Sequence, residues 1–548
     1  MNLRTSVWTV ALVVAWAFPQ TVNAQTSCEE GATLQSPTAE NKDRAGYGLA
    51  LEGDWAMTGA YLHDSAGVDA GVLHVWFWDG STWTLHQELT GSDTDAYDRF
   101  GFATAVDGHR MVIGASNADS LIGEAGAAYV FEDFGGLWVE TAQLLPALPI
   151  PGSSFGKTLD IDGDRILVGA YETDLAHIFE LQSGVWVEVA ILRGLDTQIG
   201  DRFGYSVALS GDTALIGTPG DDDVASYSGA AYVFVRNGFG IWEEQAKLLA
   251  SDLAGGDGLG DVVDLEDDLA VVGARAKDGV YENMGAVYLF ERSGTTWIEV
   301  QKLEASDFGS YDYFGSSVAL DGAALAIGAN GDQISSDNGG SVYLFRSSGG
   351  SFTEQSHMYP AGFTGSELFG SDVAIQGDRI LGGAPNYGYV NAPGASYIFE
   401  CSTDSGGAYC FGDGSGTPCP CGVVGALRSG CPNTAGAGAE LTASGDASIA
   451  NDTFTVRVDY LPNTVGLFVQ GVTALQGVPV GEGLLCLGPQ KRYSPQAVSG
   501  GTVSRSGFSV FAHAGQTMNY TWWFRDPSNQ CNGGGFNFAN GWSVTWEN

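Results

Sequence analysis

The chain has 548 residues, including 80 glycines and 17 prolines, with a hydrophobic fraction of 44% and a formal net charge of −42. This length suits about two to four domains with sizeable cores, and abundant glycine with little proline predicts tight turns rather than a disordered chain. So large a negative charge repels nucleic acid and anionic membranes, and we expect no nucleic-acid partner. Nearly all of it lies before Cys410, where it serves solubility or attracts cations and basic partners.

Residues 1–24 are typical of a secretory signal peptide. Arg4 gives a positive start, Val7–Phe18 is an apolar run too short for a membrane span, and Val22 and Ala24 suit cleavage before Gln25. No second apolar run of membrane length follows. We therefore expect a secreted, cell-surface or periplasmic protein with no membrane span in the mature chain.

A seven-copy repeat fills residues 25–401. In each copy one glycine, usually preceded by phenylalanine, lies 13 residues before a second glycine that alanine usually follows. The first glycine recurs at Gly46, Gly101, Gly156, Gly204, Gly260, Gly315 and Gly370. The second recurs at Gly59, Gly114, Gly169, Gly217, Gly273, Gly328 and Gly383. A spacing kept through every copy indicates a modular array.

Each copy has the pattern of four short strands. Gly204–Leu209 and Arg165–Ala170 are typical of the first two, which a tight turn at an Asp-Gly pair such as Asp107-Gly108 joins. Ala127–Phe131 is typical of the third strand, and the fourth usually begins at tryptophan, as at Trp138. The fold class is therefore all-β, with a seven-bladed β-propeller whose repeat glycines let blades converge and whose tryptophans pack between blades.

The two ends of the array predict how the ring closes. The seventh copy has no fourth strand, whereas Ala32–Pro37, before the first copy, matches the fourth strand at Gln301–Ser306. The N-terminal segment should therefore complete the last blade. That alignment places Cys28 opposite Cys401, and we predict a disulfide between them that staples the ring shut.

The two motifs resemble the FG-GAP repeat, the blade of the integrin alpha-subunit propeller and of exported bacterial proteins with such repeats. The resemblance covers Thr33–Cys401 and implies a propeller whose long-loop face meets extracellular ligands. Calcium-binding blades of that family hold the ion in a long acidic loop between the two motifs. Here that link is a tight turn, even at Asp160–Arg165, so we expect no integrin-type calcium site and no other cofactor.

The long loops, between strands two and three and between blades, are acidic and should share one face of the ring. The candidate ligand-face residues are Asp93, Asp95, Asp221, Asp222, Asp223, Asp332 and Asp337. In the third copy the loop around Glu172–Asp174 is seven residues shorter, which predicts a notch in this rim.

A second acidic pattern lies two residues before the phenylalanine position. Its members are Asp43, Asp98, Asp201, Asp257, Asp312 and Glu367, with Ser153 in the third copy. Short carboxylates fix turns by accepting backbone N–H bonds. The alternative is a ring of carboxylates that binds cations.

Enzyme motifs are weak in this chain. Gly152–Gly156 satisfies G-x-S-x-G, but Ser154 occupies a repeat position and not a strand-to-helix elbow. We therefore expect a non-enzymatic, monomeric adhesion or binding protein with an extracellular protein or glycan ligand. The alternatives are an extracellular polysaccharide-active enzyme, lyase or hydrolase, and a structural envelope protein. A cluster of His, Tyr, Arg or paired carboxylates at the propeller mouth would favour the enzyme.

Residues 402–409 have a linker composition, and residues 410–548 are predicted to form a Cys-rich β-sandwich. Six short runs supply the expected strands: Thr453–Tyr460, Gly466–Gly471, Gly483–Gly488, Phe508–Ala514, Asn519–Asp526 and Trp542–Trp546. Export favours disulfides among the remaining cysteines. Cys486 and Cys531 are one candidate pair, and the pairing of the others stays open. These others are Cys410, Cys419, Cys421 and Cys431.

Overall fold

The computed structural model describes residues 27–119, 122–333, 339–360, 367–386 and 393–402, together with twelve short strands between 406 and 545. One compact unit spans Ser27–Ser402, and the later strands belong to a second unit. The signal-peptide segment lies outside the described residues.

The first unit is a seven-bladed propeller, as predicted, because seven separate four-stranded antiparallel sheets follow one another along the chain. The strands of blades 1 and 2 are Ala45–Glu52, Trp55–Ala60, Val72–Trp78, Trp83–Leu89, Phe100–Asp107, Arg110–Ala115, Ala127–Asp133 and Trp138–Leu144. Those of blades 3 and 4 are Thr158–Asp162, Arg165–Ala170, Leu175–Gln182, Val185–Leu192, Ser206–Ser210, Thr213–Thr218, Ala230–Arg236 and Trp242–Leu248. Those of blades 5 and 6 are Val262–Glu266, Leu269–Ala274, Ala286–Ser293, Thr296–Leu303, Phe314–Asp321, Ala324–Ala329, Ser341–Ser348 and Ser351–Met358. Those of blade 7 are Val373–Gln376, Arg379–Ala384, Ala395–Ser402 and the N-terminal Ser27–Leu34.

The closure of the ring is confirmed. Ser27–Leu34 pairs antiparallel with Ala395–Ser402 and completes blade 7. Cys28 lies opposite Cys401 in this ladder and forms the predicted disulfide across a sequence separation of 373 residues.

The repeat glycines are the points where neighbouring blades touch. A Cβ on Gly114 would lie 1.8 Å from the carbonyl oxygen of Gly156, the first glycine of the next blade. The same contact closes the ring, since a Cβ on Gly383 would lie 2.0 Å from the Gly46 oxygen. Only glycine allows this approach, which confirms the packing role inferred from the spacing.

The turn between the first two strands differs by one residue from the expectation. Asp107 pairs with Arg110, so the two loop residues are Gly108, with φ +58°, and His109. The Asp107 carboxylate is then free to accept the backbone N–H of Gly163 in the next blade at 2.6 Å. In four other blades a side chain at this position likewise accepts a backbone N–H of the next blade, at 2.5 to 3.0 Å. The acceptors and donors are Ser210 and Asp267, Glu266 and Gly322, Asp321 and Gly377, and Gln376 and Gly53. Asp162 accepts from Gly211 in the same way.

Aromatic side chains fill the space between blades. The repeat phenylalanines are fully buried at Phe100, Phe155, Phe203, Phe314 and Phe369. The residues near the start of the fourth strands are buried at Trp138, Trp242, Trp297 and Phe352. Seven large clusters each join residues of two consecutive blades, so neighbouring sheets bury each other's faces.

The second unit is also built of strands. Five of the six predicted runs contain described strands: Thr455–Asp459, Val465–Gly471, Gly483–Leu487, Thr517–Arg525 and Gly541–Thr545. The predicted run 508–514 lies outside the described residues. Residues 406–409, assigned to the linker from sequence, form a strand that pairs with Gly541–Thr545. The remaining strands are Glu440–Ser444, Ala474–Val480, Gln490–Arg492, Gln496–Ala497, Val503–Ser506 and Phe536–Phe538.

The strands of this unit form sheets of seven, three and two strands. Their stacking as a sandwich stays a prediction, and so does the Cys486–Cys531 pair, because Cys531 lies outside the described residues. The four other cysteines of this unit, whose pairing the sequence leaves open, also lie outside the described residues. No helix in the described part of the chain is long and apolar enough to cross a membrane.

Candidate functional site

The long loops share one face of the propeller, and several of the predicted ligand-face residues bind the scaffold there. Asp93 accepts a hydrogen bond from the Tyr129 hydroxyl at 2.7 Å and from Gln143 at 3.0 Å. Tyr129 is the third residue of the third strand, and its hydroxyl reaches an aspartate 36 residues earlier in the chain. The other pairs are Tyr232 with Asp196, Tyr288 with Asp252 and Tyr343 with Asp307.

The acidic loop of blade 4 is tied to a lysine. Asp221 is almost fully buried and contacts the Lys247 amine at 2.7 Å, and Asp223 contacts the same amine at 2.5 Å. Asp222 accepts the backbone N–H of Tyr227. Asp95 is exposed, and Asp337 lies outside the described residues. Whether any of these carboxylates also meets a ligand stays a prediction.

A group with the composition of a metal site lies on blade 6. One ligand atom each of Asp307, Asp332 and His357 lie within 4.8 Å of one another. However, His357 Nδ1 lies 3.2 Å from Asp307 and Nε2 lies 3.2 Å from Asp332, so both ring nitrogens face carboxylates. In the strand register His357 opposes Tyr343, as Lys302 opposes Tyr288 in blade 5.

His357 therefore occupies the position of a lysine. Burial lowers its pKa, but the hydrogen bond to Asp332 and the charge of Asp307 outweigh burial and hold the pKa above its usual value. An imidazolium donates from both nitrogens and leaves no lone pair for a metal. The geometry favours a cation that neutralises the rim over a metal centre.

The carboxylates before the phenylalanine position accept backbone bonds, as the first interpretation expected. Asp98 accepts the N–H of Asp95 at 2.7 Å and Asp201 that of Gln198 at 2.7 Å, each from three residues earlier. Asp43, Asp257 and Asp312 make the same bond. Burial raises the pKa of Asp98 and of Asp312 to about 6.

The short loop of blade 3 is present and has its own geometry. Tyr171–Thr173 forms a single 3-10 turn, after which Asp174 adopts a left-handed φ of +55° and is buried. Its carboxylate accepts the N–H of Gly200 at 2.9 Å and of Arg202 at 2.7 Å. At the six other contacts between blades, the glycine before the third strand forms a parallel backbone bridge with the start of the next blade, as Gly126 does with Phe155. Asp174 therefore replaces the missing loop.

A cavity of about 300 Å³ lies between blades 2 and 3, beside this loop. Blade 2 contributes Arg99 and Asn117, and blade 3 contributes Ser154, Lys157, Tyr171 and Glu172. The Lys157 amine lies 2.8 Å from the Tyr171 hydroxyl, 4.5 Å from the centre of that ring and 5.4 Å from the centre of the Phe102 ring.

The sequence predicted the notch but not the side chains in it. Lys157 directly follows Gly156, and Tyr171 directly follows the Gly169-Ala170 pair, so both lie at the ends of the repeated frame. A comparison of the residues that follow each glycine would have found them. The positions after the first glycine hold Tyr47, Phe102, Lys157, Tyr205, Asp261, Ser316 and Ser371. Those after the second motif hold Tyr61, Ser116, Tyr171, Pro219, Arg275, Asn330 and Pro385.

Aromatic side chains hold five of these positions in blades 1 to 4, and Lys157 lies between the two aromatic groups that they form. The ring centres of Tyr61 and Tyr47 lie 5.1 Å apart, and those of Tyr47 and Phe102 lie 4.9 Å apart. Beyond Lys157, the centres of Tyr171 and Tyr205 lie 5.2 Å apart. Because first strands lie nearest the axis, this aromatic and basic recess marks the mouth of the propeller.

Burial dominates the electrostatics of the cavity. It lowers the pKa of Lys157, with Arg99 and Arg202 acting in the same direction and Glu172 opposing them. Burial, followed by the neighbouring Glu172, raises the pKa of the Tyr171 hydroxyl to about 12. Tyr171 is therefore a neutral donor at physiological pH, and Lys157 is a cation that gains from a nearby anion.

Ser154, the serine of the G-x-S-x-G match at Gly152–Gly156, also lines this cavity. Its φ of +56° matches that of Arg99, at +61°, and Arg202, at +63°, which hold the same repeat position. The left-handed backbone thus belongs to the blade entry and not to a nucleophile elbow.

Comparisons with known proteins agree with the repeat. The model of the FG-GAP repeat family matches residues 83–131, 186–234, 242–290 and 297–345. No curated protein sequence matches the chain significantly. Among solved structures, the WD40 domain of Toxoplasma gondii coronin is 12% identical with a TM-score of 0.45, and the match covers 69% of this chain and 87% of that one. Virginiamycin B lyase from Staphylococcus aureus is 11% identical with a TM-score of 0.42, covering 68% and 99%.

Proposed function

We infer that this chain, whose first unit is a propeller of FG-GAP repeats, is an exported binding protein that engages an extracellular ligand at the mouth of its long-loop face. The propeller itself supports a binding or scaffold role in general. The signal-peptide pattern supports export, and adhesion to a cell-surface protein or glycan is the specific role that we propose.

The observation that carries the proposal is the contrast between fixed and variable positions. The frame glycines are the same in all copies and serve packing, as the 1.8 Å approach at Gly114 requires. The residues directly after them vary, and in blades 1 to 4 they supply tyrosines, a phenylalanine and Lys157. Aromatic walls with a few polar groups in a concavity are the usual composition of a ligand site.

The test is an array experiment on the mature chain. Glycans and extracellular proteins are offered with and without EDTA, and we expect binding that EDTA leaves unchanged, because the turns lack a calcium loop. Binding to nothing in either condition would contradict the proposal. Binding only without EDTA would contradict its cation independence.

A variant pair locates the binding. Phe102→Ser opens the aromatic wall at the mouth, whereas Phe239→Ser removes a ring that is 93% exposed on a hairpin turn of blade 4. We expect the first to weaken binding and the second to leave it unchanged. Equal effects would show that the mouth is not the site.

The second candidate function is the extracellular polysaccharide-active enzyme. The observation that favours it is the Lys157–Tyr171 contact at 2.8 Å inside a cavity, because a lysine with a lowered pKa suits proton abstraction. Incubation with acidic polysaccharides tests it through the ultraviolet absorbance of unsaturated products and through new reducing ends. Turnover that Lys157→Met abolishes would establish the enzyme, and absence of both signals would exclude it for those substrates.

A further inference from the structure

We propose that the cavity between blades 2 and 3 binds the carboxylate of a single acidic sugar, with Lys157 as its counter-ion. This inference rests on the proposed function and specifies its ligand. The sugar is either free or the terminal residue of a glycan.

The first argument is the charge of the cavity. In a chain of net charge −42, Lys157 and Arg99 face the same small space. Neither forms a salt bridge with a described carboxylate, although the charge of Glu172 acts on Lys157 and partly offsets the lowering of its pKa by burial. Three other lysines of this face each contact a carboxylate: Lys247 to Asp223 at 2.5 Å, Lys277 to Asp257 at 2.9 Å and Lys302 to Asp252 at 2.9 Å.

The second argument is the cost of holding Lys157 there. Its amine is half-buried between Tyr171 and Phe102, and desolvation disfavours its charged form. An ammonium has three N–H donors, of which the contact with the Tyr171 hydroxyl uses at most one. A carboxylate that enters the cavity can take the others in charge-assisted hydrogen bonds. Arg99 is exposed at the edge and can bind a second oxygen.

The third argument identifies the rest of the ligand. The walls combine the Tyr171 ring with the polar side chains of Asn117 and Ser154. The Phe102 ring lies beside them, with its centre 5.4 Å from the Lys157 amine. A pyranose presents both kinds of surface, since its C–H face packs on a ring and its hydroxyls bond to amides and hydroxyls.

The size of the cavity and the charge around it limit the ligand to one charged sugar. A volume of about 300 Å³ is at the lower end of small-molecule sites, which suits a single ring. The acidic rim around the cavity repels a polyanion. Glu172 and Glu124, which also line the cavity, oppose a second negative charge.

The experiment titrates the mature chain with D-glucuronate, D-glucose and acetate. Glucuronate and glucose differ only at C6, which is a carboxylate in glucuronate and a hydroxymethyl group in glucose. Acetate carries the carboxylate without a ring. We expect glucuronate to bind and the other two to bind at least tenfold more weakly. An oligosaccharide with terminal glucuronate distinguishes the sources: tighter binding than the free sugar assigns a glycan end, and weaker binding assigns a free acid.

Two cavity variants should act in opposite directions. Lys157→Met keeps the aliphatic stem and removes the charge, so we expect affinity for glucuronate to fall about tenfold or more. Glu172→Gln removes the opposing charge, so we expect affinity to rise several-fold. Lys302→Met, the matched control on blade 5, should change nothing. Melting temperatures verify that each variant is folded.

Equal binding of glucose and glucuronate, or a Lys157→Met variant that binds glucuronate normally, would overturn the proposal. Acetate that binds as tightly as glucuronate would overturn the sugar assignment. If these results occur while the arrays show another ligand, only this inference fails. If the arrays also show no ligand, the proposed function fails with it.

Discussion

The rim and the mouth of the long-loop face differ in what their charges do. On the rim, carboxylates of the loops meet tyrosine hydroxyls and cations of the same face, as Asp221 meets Tyr232 and Lys247. At the mouth, Lys157 lies against aromatic rings without an ion pair among the described residues. The difference teaches that the abundance of a charge in the sequence does not locate a site. An acidic loop whose carboxylates are bonded within the protein is scaffold, whereas a cation that lies in a cavity without a salt bridge is a candidate contact for a ligand.

The largest effect is expected from replacing one of the repeat glycines, which hold the blades that carry both the rim and the mouth. Gly114→Val would place side-chain atoms against the Gly156 carbonyl, so we expect a loss of about 4–5 kcal/mol in the free energy of unfolding. Denaturant unfolding measures it. Gly238→Ala, where a Cβ meets nothing within 4 Å, is the matched control and should cost under about 0.5 kcal/mol. A tolerated Gly114→Val would refute the blade-contact role.

The closing disulfide should come next in size. Replacing both Cys28 and Cys401 with serine releases a loop of 373 residues. The loop-entropy relation gives an upper value of about 6 kcal/mol, of which disulfides typically deliver about 2–4 kcal/mol. Thermal melting with and without reductant measures this, and reductant should shift only the wild-type protein. A wild-type melting temperature insensitive to reduction of this bond would show that strand pairing alone holds the ring.

The bonds between first strands should contribute less. Asp107→Ala removes one acceptor for the Gly163 N–H at a solvent-exposed edge, so we expect a loss of about 0.5–1.5 kcal/mol. Urea unfolding compares it with Asp54→Ala, a change in an exposed turn residue. If both substitutions cost the same, the bond between the blades contributes nothing.

The buried acidic groups predict how the stability changes with pH. Burial raises the pKa of Asp264 to about 6 and of Asp160 to about 7. The pKa of His357 is also raised. Groups that bind protons more tightly when folded add stability as the pH falls, and they lose it as the pH rises through the folded pKa values. The melting temperature should therefore be higher at pH 5.5 than at pH 7.5.

A substitution on the rim isolates one part of that dependence. His357→Lys keeps a cation between Asp307 and Asp332 at both pH values, as Lys247 does for blade 4. We expect the variant to lose less stability than the wild type between pH 5.5 and pH 7.5. An unchanged pH dependence would mean that His357 does not titrate in this range.

Much of the fold followed from the spacing of two glycines. A Cβ at these positions would collide with the backbone of the next blade, so only glycine fits there. The close contact between blades is therefore visible in the sequence as two glycines at a constant spacing. The candidate site was visible only in part. The shorter loop around Glu172 predicted the notch. Lys157 and Tyr171 belong to no recognisable motif, because they lie 14 residues apart and meet only when the first two strands pair.

The sequence by itself determined the number of blades, the strand that closes the ring, the Cys28–Cys401 bond and the absence of a long acidic loop between the repeat motifs. All of these depend on local spacing, which neighbouring copies repeat. Only the tertiary structure decided which charges are satisfied and which face a cavity. That depends on residues brought together from different blades, as Arg99 is brought to Lys157, and on burial, which changes the free energy of a charge without changing the sequence around it.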